Sequence, residues 1–201
     1  MPTGSGNLTS VQSALRELGH ETKNFEGDNN LSNVRKVLIP GVGSFRAAMD
    51  YMANKGTKSK LEDYIESGGQ IFGICLGMQI LARKGLEDGE TQGLGVTEGE
   101  VRPFQDAPQK SGPNTHVGFN NLQIRNESST LLRNVKSSDN FYFTHSFFLT
   151  DENPLYVSAV TSASVEIVSV IEKDGHIFGT QFHPEKSQGQ GLRIIQNFME
   201  H

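Results

Sequence analysis

Apolar positions along this chain repeat with two different periods. After Asn7, a natural helix cap, Leu8, Val11, Leu15 and Leu18 recur every three to four residues, giving one apolar helix face that Gly19 ends. The stretch from Val34 to Ile39 reads as a short strand running into the loop Pro40-Gly41-Val42-Gly43. Ser44 then caps a helix with Phe45, Ala48, Met49 and Met52 on its apolar face. A further helix places Leu61, Tyr64 and Ile65 on one side and stops at Gly68-Gly69. The run "QIFGI" (70–74) is the next strand, and a short helix follows Cys75. Strands alternating with helices predict an α/β fold: a mostly parallel open sheet with helices on both faces.

The pattern changes in the second half. From Leu86 to Thr115 periodicity fades into loops and short strands, whereas "FYFTHSFFL", "LYVSAV" and "VEIVSVIE" each read as strand. Asp174-Gly175 marks a tight turn into "IFGTQFHPE", and "GLRIIQNFME" closes the chain as a helix with Leu192, Ile195 and Met199 on one face. These segments predict antiparallel additions to the same sheet, within a single domain spanning residues 1–201. Such a sheet usually opens with a buried strand before its first helix, and "MPT" cannot supply one. The first strand is therefore expected to be missing, leaving a borrowed strand, a sheet that starts at its second strand, or an exposed edge as the alternatives.

Composition narrows the function classes. A formal charge of -5, without a Lys/Arg-rich block, argues against a nucleic-acid binder. No apolar run approaches the ~20 residues of a membrane span, and the N-terminal stretch lacks the basic and apolar regions of a signal peptide. The single cysteine excludes an internal disulfide framework and a Cys-rich metal site, and it fits a reducing, cytoplasmic setting. No cofactor and no metal are expected.

That cysteine lies in "GICLG", at the end of an apolar strand and the start of a short helix. A structural, buried thiol fits the position. So does a nucleophile, because backbone N–H groups and the positive end of the helix favour thiolate there. Gly73 and Gly77 leave room for a tight crossover and for a substrate to approach. A cysteine nucleophile needs a base, and the base needs an acceptor to orient it. Among the six histidines, His183 in "QFHPEKS" follows a strand, with Glu185 two residues on and Pro184 stiffening the chain between them. Read as an extended segment, it projects Glu185 and His183 to one side, so that Glu185 orients the ring towards Cys75. The chemistry implied is thiolate attack on an amide or ester carbonyl, passing through an oxyanion. The amide of Leu76 and the loop Gly41-Val42-Gly43 are the candidate donors for it.

With these residues in view, "PGVGSF", "GICLGMQIL", "HVGFN", "YFTHSF" and "FHPEKSQGQGL" resemble, in order, the segments of class I glutamine amidotransferases. Within that superfamily they are most similar to the glutaminase subunits of imidazole glycerol phosphate synthase, in histidine biosynthesis. The resemblance implies a flavodoxin-like sheet and a Cys75, His183, Glu185 triad. It further implies oxyanion amides from Val42 and Leu76, and a glutamine pocket lined by Gly43, Gln79, His145, Ser146 and Phe147. Asn7 and Lys186 would lie near a partner, a (β/α)8-barrel cyclase subunit forming a heterodimer. That partner would use the ammonia to make imidazole glycerol phosphate and aminoimidazole carboxamide ribotide. A glutaminase subunit of anthranilate or aminobenzoate synthase and a non-catalytic regulatory relative are the alternatives. Phe119 stands where the family often has Trp, and Phe147 where Tyr is common.

Overall fold

The computed structural model describes residues 7–25, 30–107, 112–151, 153 and 155–201. The first half runs α1 (Leu8–Glu17), β1 (Lys36–Gly41), α2 (Phe45–Asn54), α3 (Thr57–Glu66), β2 (Gln70–Cys75) and α4 (Leu76–Gln79). Five strands then lead across the middle of the chain: β3 (Ala82–Gly85), β4 (Thr91–Gln92), β5 (Thr97–Pro103), β6 (His116–Asn121) and β7 (Gln123–Ile124). They are followed by β8 (Asn140–His145), β9 (Phe147–Thr150), β10 (Val157–Ser162), β11 (Glu166–Lys173) and β12 (Ile177–Thr180). A 3-10 turn, Pro184–Lys186, leads into α5 (Gln188–Glu200).

The main sheet has the order β1-β2-β12-β11-β10-β7. It is parallel through β1, β2 and β12, and antiparallel from β11 outward. This is the expected α/β sheet with its second-half additions. A second sheet, β4-β3-β5-β9, and a two-stranded ribbon, β6-β8, complete the strands.

Alternation along β2 divides the core. Ile71 joins Val37 and Ile39 under Met49, Met52, Leu61 and Ile65 of α2 and α3. Phe72 and Ile74 point the other way, onto Val11 and Leu15 of α1 and Ile194, Ile195 and Phe198 of α5. Full burial of one such side chain stabilises by about 1.5–3 kcal/mol, so both faces of the sheet are anchored where β2 ends. Lys36 ties β1 to the end of α5: its ammonium donates to the carbonyls of Phe198 and Met199 at 2.6 and 3.1 Å.

Several local expectations hold. The Ser44 hydroxyl accepts from the Ala47 amide at 3.2 Å, and Asp174 and Gly175 both take positive φ in the turn before β12. Others shift. The strand expected over Val34–Ile39 runs instead from Lys36 to Gly41, because its partner β2 sets the register and pairs Gly41 with Cys75. Asn7 makes no side-chain cap on α1, since its amide is used elsewhere. "FYFTHSFFL" breaks at Ser146 into β8 and β9, which pair with different sheets. The expectation of a missing first strand concerns residues 1–6, which lie outside the described residues. No helix among the described residues is long and apolar enough to cross a membrane.

The β2–α4 crossover is the tightest packing in the sheet. A Cβ on Gly77 would lie 1.7 Å from the Ile39 carbonyl oxygen, and one on Gly73 would lie 2.4 Å from the Gly77 oxygen. Both obstacles are backbone, so they cannot swing away. Gly77→Ala is therefore expected to cost about 3 kcal/mol of stability in denaturant melts. Gly189→Ala, where a Cβ meets nothing within 4 Å, is expected to stay within about 1 kcal/mol of the parent.

Candidate active site

The crossover that excludes a side chain at Gly77 also fixes the thiol. Cys75 sits at φ 55°, ψ -110°, outside the regions open to ordinary residues, between the last pair of β2 and the first residue of α4. A side chain on such an elbow stands out from the end of the sheet instead of lying along it. Parallel pairing sets Gly41 directly beside Cys75, and Val42 and Gly43 follow Gly41 at the end of β1. Leu76 opens α4, and its N–H is one of those a helix start leaves without an intrahelical acceptor. Val42 and Gly43 thus continue from the residue paired with Cys75, and Leu76 directly follows it.

β12 delivers the histidine. It pairs with β2 up to Thr180↔Ile74, and the chain then runs past Cys75 to a buried His183. The His183 amide donates to the Tyr142 carbonyl at 2.8 Å. The Ser187 hydroxyl donates to the His183 carbonyl at 2.6 Å and accepts from the Tyr142 amide at 2.9 Å, so the backbone is clamped to β8. Beyond His183 the chain does not stay extended: Pro184–Lys186 forms a 3-10 turn. The turn still returns Glu185 to the ring, with its oxygen 2.8 Å from His183 Nδ1 and both side chains almost fully buried. Proline's fixed φ suits the start of a helical turn as well as an extended chain, and this is what the i, i+2 argument missed.

Charge at this site is set by the same contacts. Burial alone would lower the His183 pKa, but the Cys75 thiol and the Glu185 carboxylate outweigh it and hold the ring up at about 9. With Nδ1 on Glu185, the ring's Nε2 is buried without an aligned hydrogen-bond partner among the described residues. On the charged ring this nitrogen carries a proton, and alignment with a reacting group often comes only with substrate. Asn7, expected near a partner, places its side-chain amide on Glu185 Oε1 and lies 3.4 Å from His183 Nδ1.

The pocket residues are tied together by one carbonyl. Phe147 O accepts from Gln79 Nε2 at 2.9 Å and from His145 Nδ1 at 2.7 Å. Burial drives the His145 pKa down to about 3, so the ring is neutral, with its proton on Nδ1. Its Nε2 then accepts from His116 Nδ1 at 3.2 Å, and Asn120 reaches His116 Nε2 at 3.4 Å. Ser146 is exposed at the strand break, and its carbonyl accepts from the Phe104 amide. Lys186 is exposed, its ammonium 6.0 Å from the Tyr142 ring, which itself packs on Phe119.

Sequence reasoning missed two contributors. Gln181, fully buried, donates through Nε2 to Cys75 Sγ at 3.6 Å and accepts from Gln79 at 3.0 Å. Its signal was its place one residue after the strand that registers with the cysteine's strand, which is visible only once that register is known. Glu87 accepts from the Phe45 amide at 2.6 Å, which brings a carboxylate to the helix start that follows the Val42-Gly43 loop. No spacing in the sequence marks it. Among the described residues no group of three or more His, Cys, Asp or Glu is arranged to hold a metal ion.

Comparisons with known proteins place the chain in a family. The family profile described as "Glutamine amidotransferase class-I" matches residues 3–201. "Imidazole glycerol phosphate synthase subunit HisH" of Caldanaerobacter subterraneus subsp. tengcongensis is 38% identical over 197 residues, covering 98% of this chain and 94% of the relative. The protein of the same name from Chlorobium luteolum is 38% identical over 98% of this chain and 96% of its own length. Among solved structures, PurLQS from Thermotoga maritima superposes with a TM-score of 0.74 at 19% identity, covering all of this chain and 95% of that one. The crystal structure of a glutamine amidotransferase gives 0.71 at 20% identity, covering 97% of this chain and 93% of that one. Those two share the fold. The family profile and the relatives carry the assignment further: this chain belongs to the class I glutamine amidotransferases.

Proposed function

We propose that the chain is the glutaminase subunit of an imidazole glycerol phosphate synthase, hydrolysing glutamine to glutamate and ammonia through a thioester on Cys75. The observation that carries the chemistry is the buried Cys75–His183–Glu185 array at the end of the parallel strands. In it one ring nitrogen is held by a carboxylate and the thiol stands on a strained elbow. The pathway reading is supported by relatives that bear the synthase subunit's name along nearly the whole chain.

The thiolate adds to the side-chain amide carbon of glutamine. The carbonyl oxygen becomes an oxyanion, which the Leu76 and Val42 N–H groups receive. Loss of one such donor typically costs about 10²–10³-fold in rate, so the orientation of the Val42 amide is a lever on turnover. His183 gives its proton to the leaving nitrogen as the C–N bond breaks, releasing ammonia and leaving the thioester. The ring then takes a proton from water as the water attacks, and collapse of the second oxyanion returns the thiolate and glutamate. Both N–H bonds of Gln79 are engaged inside the protein, so it offers the substrate its oxygen, an acceptor suited to the α-ammonium.

A partner-facing surface next to this site supports the cyclase reading. The β6-β8 ribbon is joined to His183 through Tyr142, and it exposes Val117 and Phe119 at 65% and 53%. Asn7 and Lys186 flank the same end of the sheet. A barrel-type cyclase docked there would cover the apolar side chains and receive ammonia beside the triad.

Two measurements test this reading. Glutamate release by the purified chain is expected to rise roughly 10²-fold when a histidine-pathway cyclase and its nucleotide ligand are added, as expected for one added oxyanion donor. It should disappear in Cys75→Ala. Activation by an anthranilate synthase partner instead would reverse the pathway assignment.

The second follows from the charge on His183. A histidine whose folded pKa lies above its unfolded value near 6.5 contributes stability that is complete below that value and lost as pH rises through about 9. The same deprotonation removes the proton needed by the leaving nitrogen. Glutaminase activity is therefore expected to fall as pH rises through about 9, and Glu185→Gln is expected to move that limb to lower pH. A limb left in place by Glu185→Gln would mean the carboxylate does not hold the ring's charge.

A further inference from the structure

One polar side chain at the site has no part in the chemistry above, although it touches the sulfur. Gln181 is fully buried, lies between Gln79 and Cys75, and donates to the sulfur at 3.6 Å. An amide can be turned either way round, so what matters is which end faces the sulfur and what decides it.

The deciding group is the Phe147 carbonyl, which can only accept. It is 2.9 Å from Gln79 Nε2, so the Gln79 NH2 must face it. The second N–H of that NH2 lies 3.0 Å from the Gln181 amide, where only an oxygen complements it. The Gln181 oxygen is thereby fixed towards Gln79, and its NH2 is fixed towards Cys75 Sγ. Turning Gln181 over would set NH2 against NH2 and an oxygen against the sulfur, losing two buried hydrogen bonds at once. His145 cannot relieve the constraint, because its Nδ1 also donates to Phe147 O, at 2.7 Å. The backbone adds a second lock: the Gln181 amide donates to Ser169 O at 3.0 Å, and β12 and β2 are in register up to the residues just before Gln181 and Cys75.

A donor held in this way interacts more strongly with a thiolate than with a thiol or a thioester sulfur. We propose that Gln181 is a positioning residue for the nucleophile. Its NH2, locked towards Cys75 Sγ by the Phe147 carbonyl acting through Gln79, favours the charged sulfur and fixes its direction for attack. The proposal rests on the reading of Cys75 as the nucleophile.

Cys75 is the only cysteine in the chain, so its alkylation by iodoacetamide reports on this sulfur alone and needs no turnover. Alkylation rate is measured against pH, beside kcat and KM for glutamine, in the parent, Gln181→Met, Gln181→Glu and Gln79→Met. Gln181→Met keeps the shape and removes the donor. It is expected to lower alkylation at neutral pH about tenfold, to move the half-plateau upward by about one pH unit, and to lower kcat with KM within about twofold. Gln181→Glu, which sets an acceptor against the sulfur, is expected to do more. Gln79→Met frees Gln181 to turn and is expected to fall between the parent and Gln181→Met. A parent-like alkylation profile in either folded Gln181 variant overturns the proposal. If neither folds, a parent-like profile in Gln79→Met overturns it, and a shifted one upholds it. Failure of the nucleophile reading shows separately, as glutaminase activity surviving in Cys75→Ala.

Discussion

The contact on which the site depends is between two stretches of backbone. Helix α4 turns back over the end of β1 so closely that the Gly77 Cα sits against the Ile39 carbonyl with no room for a methyl group. That approach forces Cys75 into its positive-φ conformation, and the strain of order 1–3 kcal/mol persists because the sheet on both sides over-determines it. Phe72 and Ile74 on one face and Ile71 on the other are fully buried just before the elbow, so the strand cannot rotate to relax it. Stability is concentrated where the nucleophile needs rigidity.

Around this fixed point, buried polar groups form two arrays that meet at the sulfur. The first runs from Glu185 through His183 and pairs a carboxylate with a charged ring. The second runs from His116 and His145 through the Phe147 carbonyl to Gln79 and Gln181, and holds no net charge, because burial keeps His145 neutral. His183 and His145 are thus driven to opposite states by their partners. His183 has a carboxylate and a sulfur to stabilise its charge, and His145 has only a carbonyl and another imidazole. Residue type alone does not separate an acid–base histidine from a structural one.

The site also sits at a boundary between sheets. The chain leaves the β6-β8 ribbon and enters β9 of the second sheet at Ser146, and this change of direction turns the Phe147 carbonyl inward to Gln79 and His145. The ribbon's other face remains exposed at Val117 and Phe119, while its Tyr142 is bonded to the His183 backbone. The ribbon is therefore joined to the histidine through one backbone hydrogen bond and the Ser187 hydroxyl.

Much of this was legible in the sequence. Periodicity placed α1, α2, α3 and α5 and the parallel strands β1 and β2, because a helix or strand must carry a matching apolar stripe whatever it packs against. The glycines around Cys75 and the short His-Pro-Glu spacing marked the strained elbow and the histidine–carboxylate pair, since both are local features. Residues whose roles come from distant segments stayed hidden. Gln181 meets Cys75 only because β12 pairs with β2 across 106 residues of chain. Glu87 reaches Phe45 from a loop 42 residues away, and Asn7 turns from the helix cap it resembles to the Glu185 carboxylate. Local spacing determined which residues could react. Strand register, set by burial of both sheet faces, decided which buried polar groups surround them and which way those groups point.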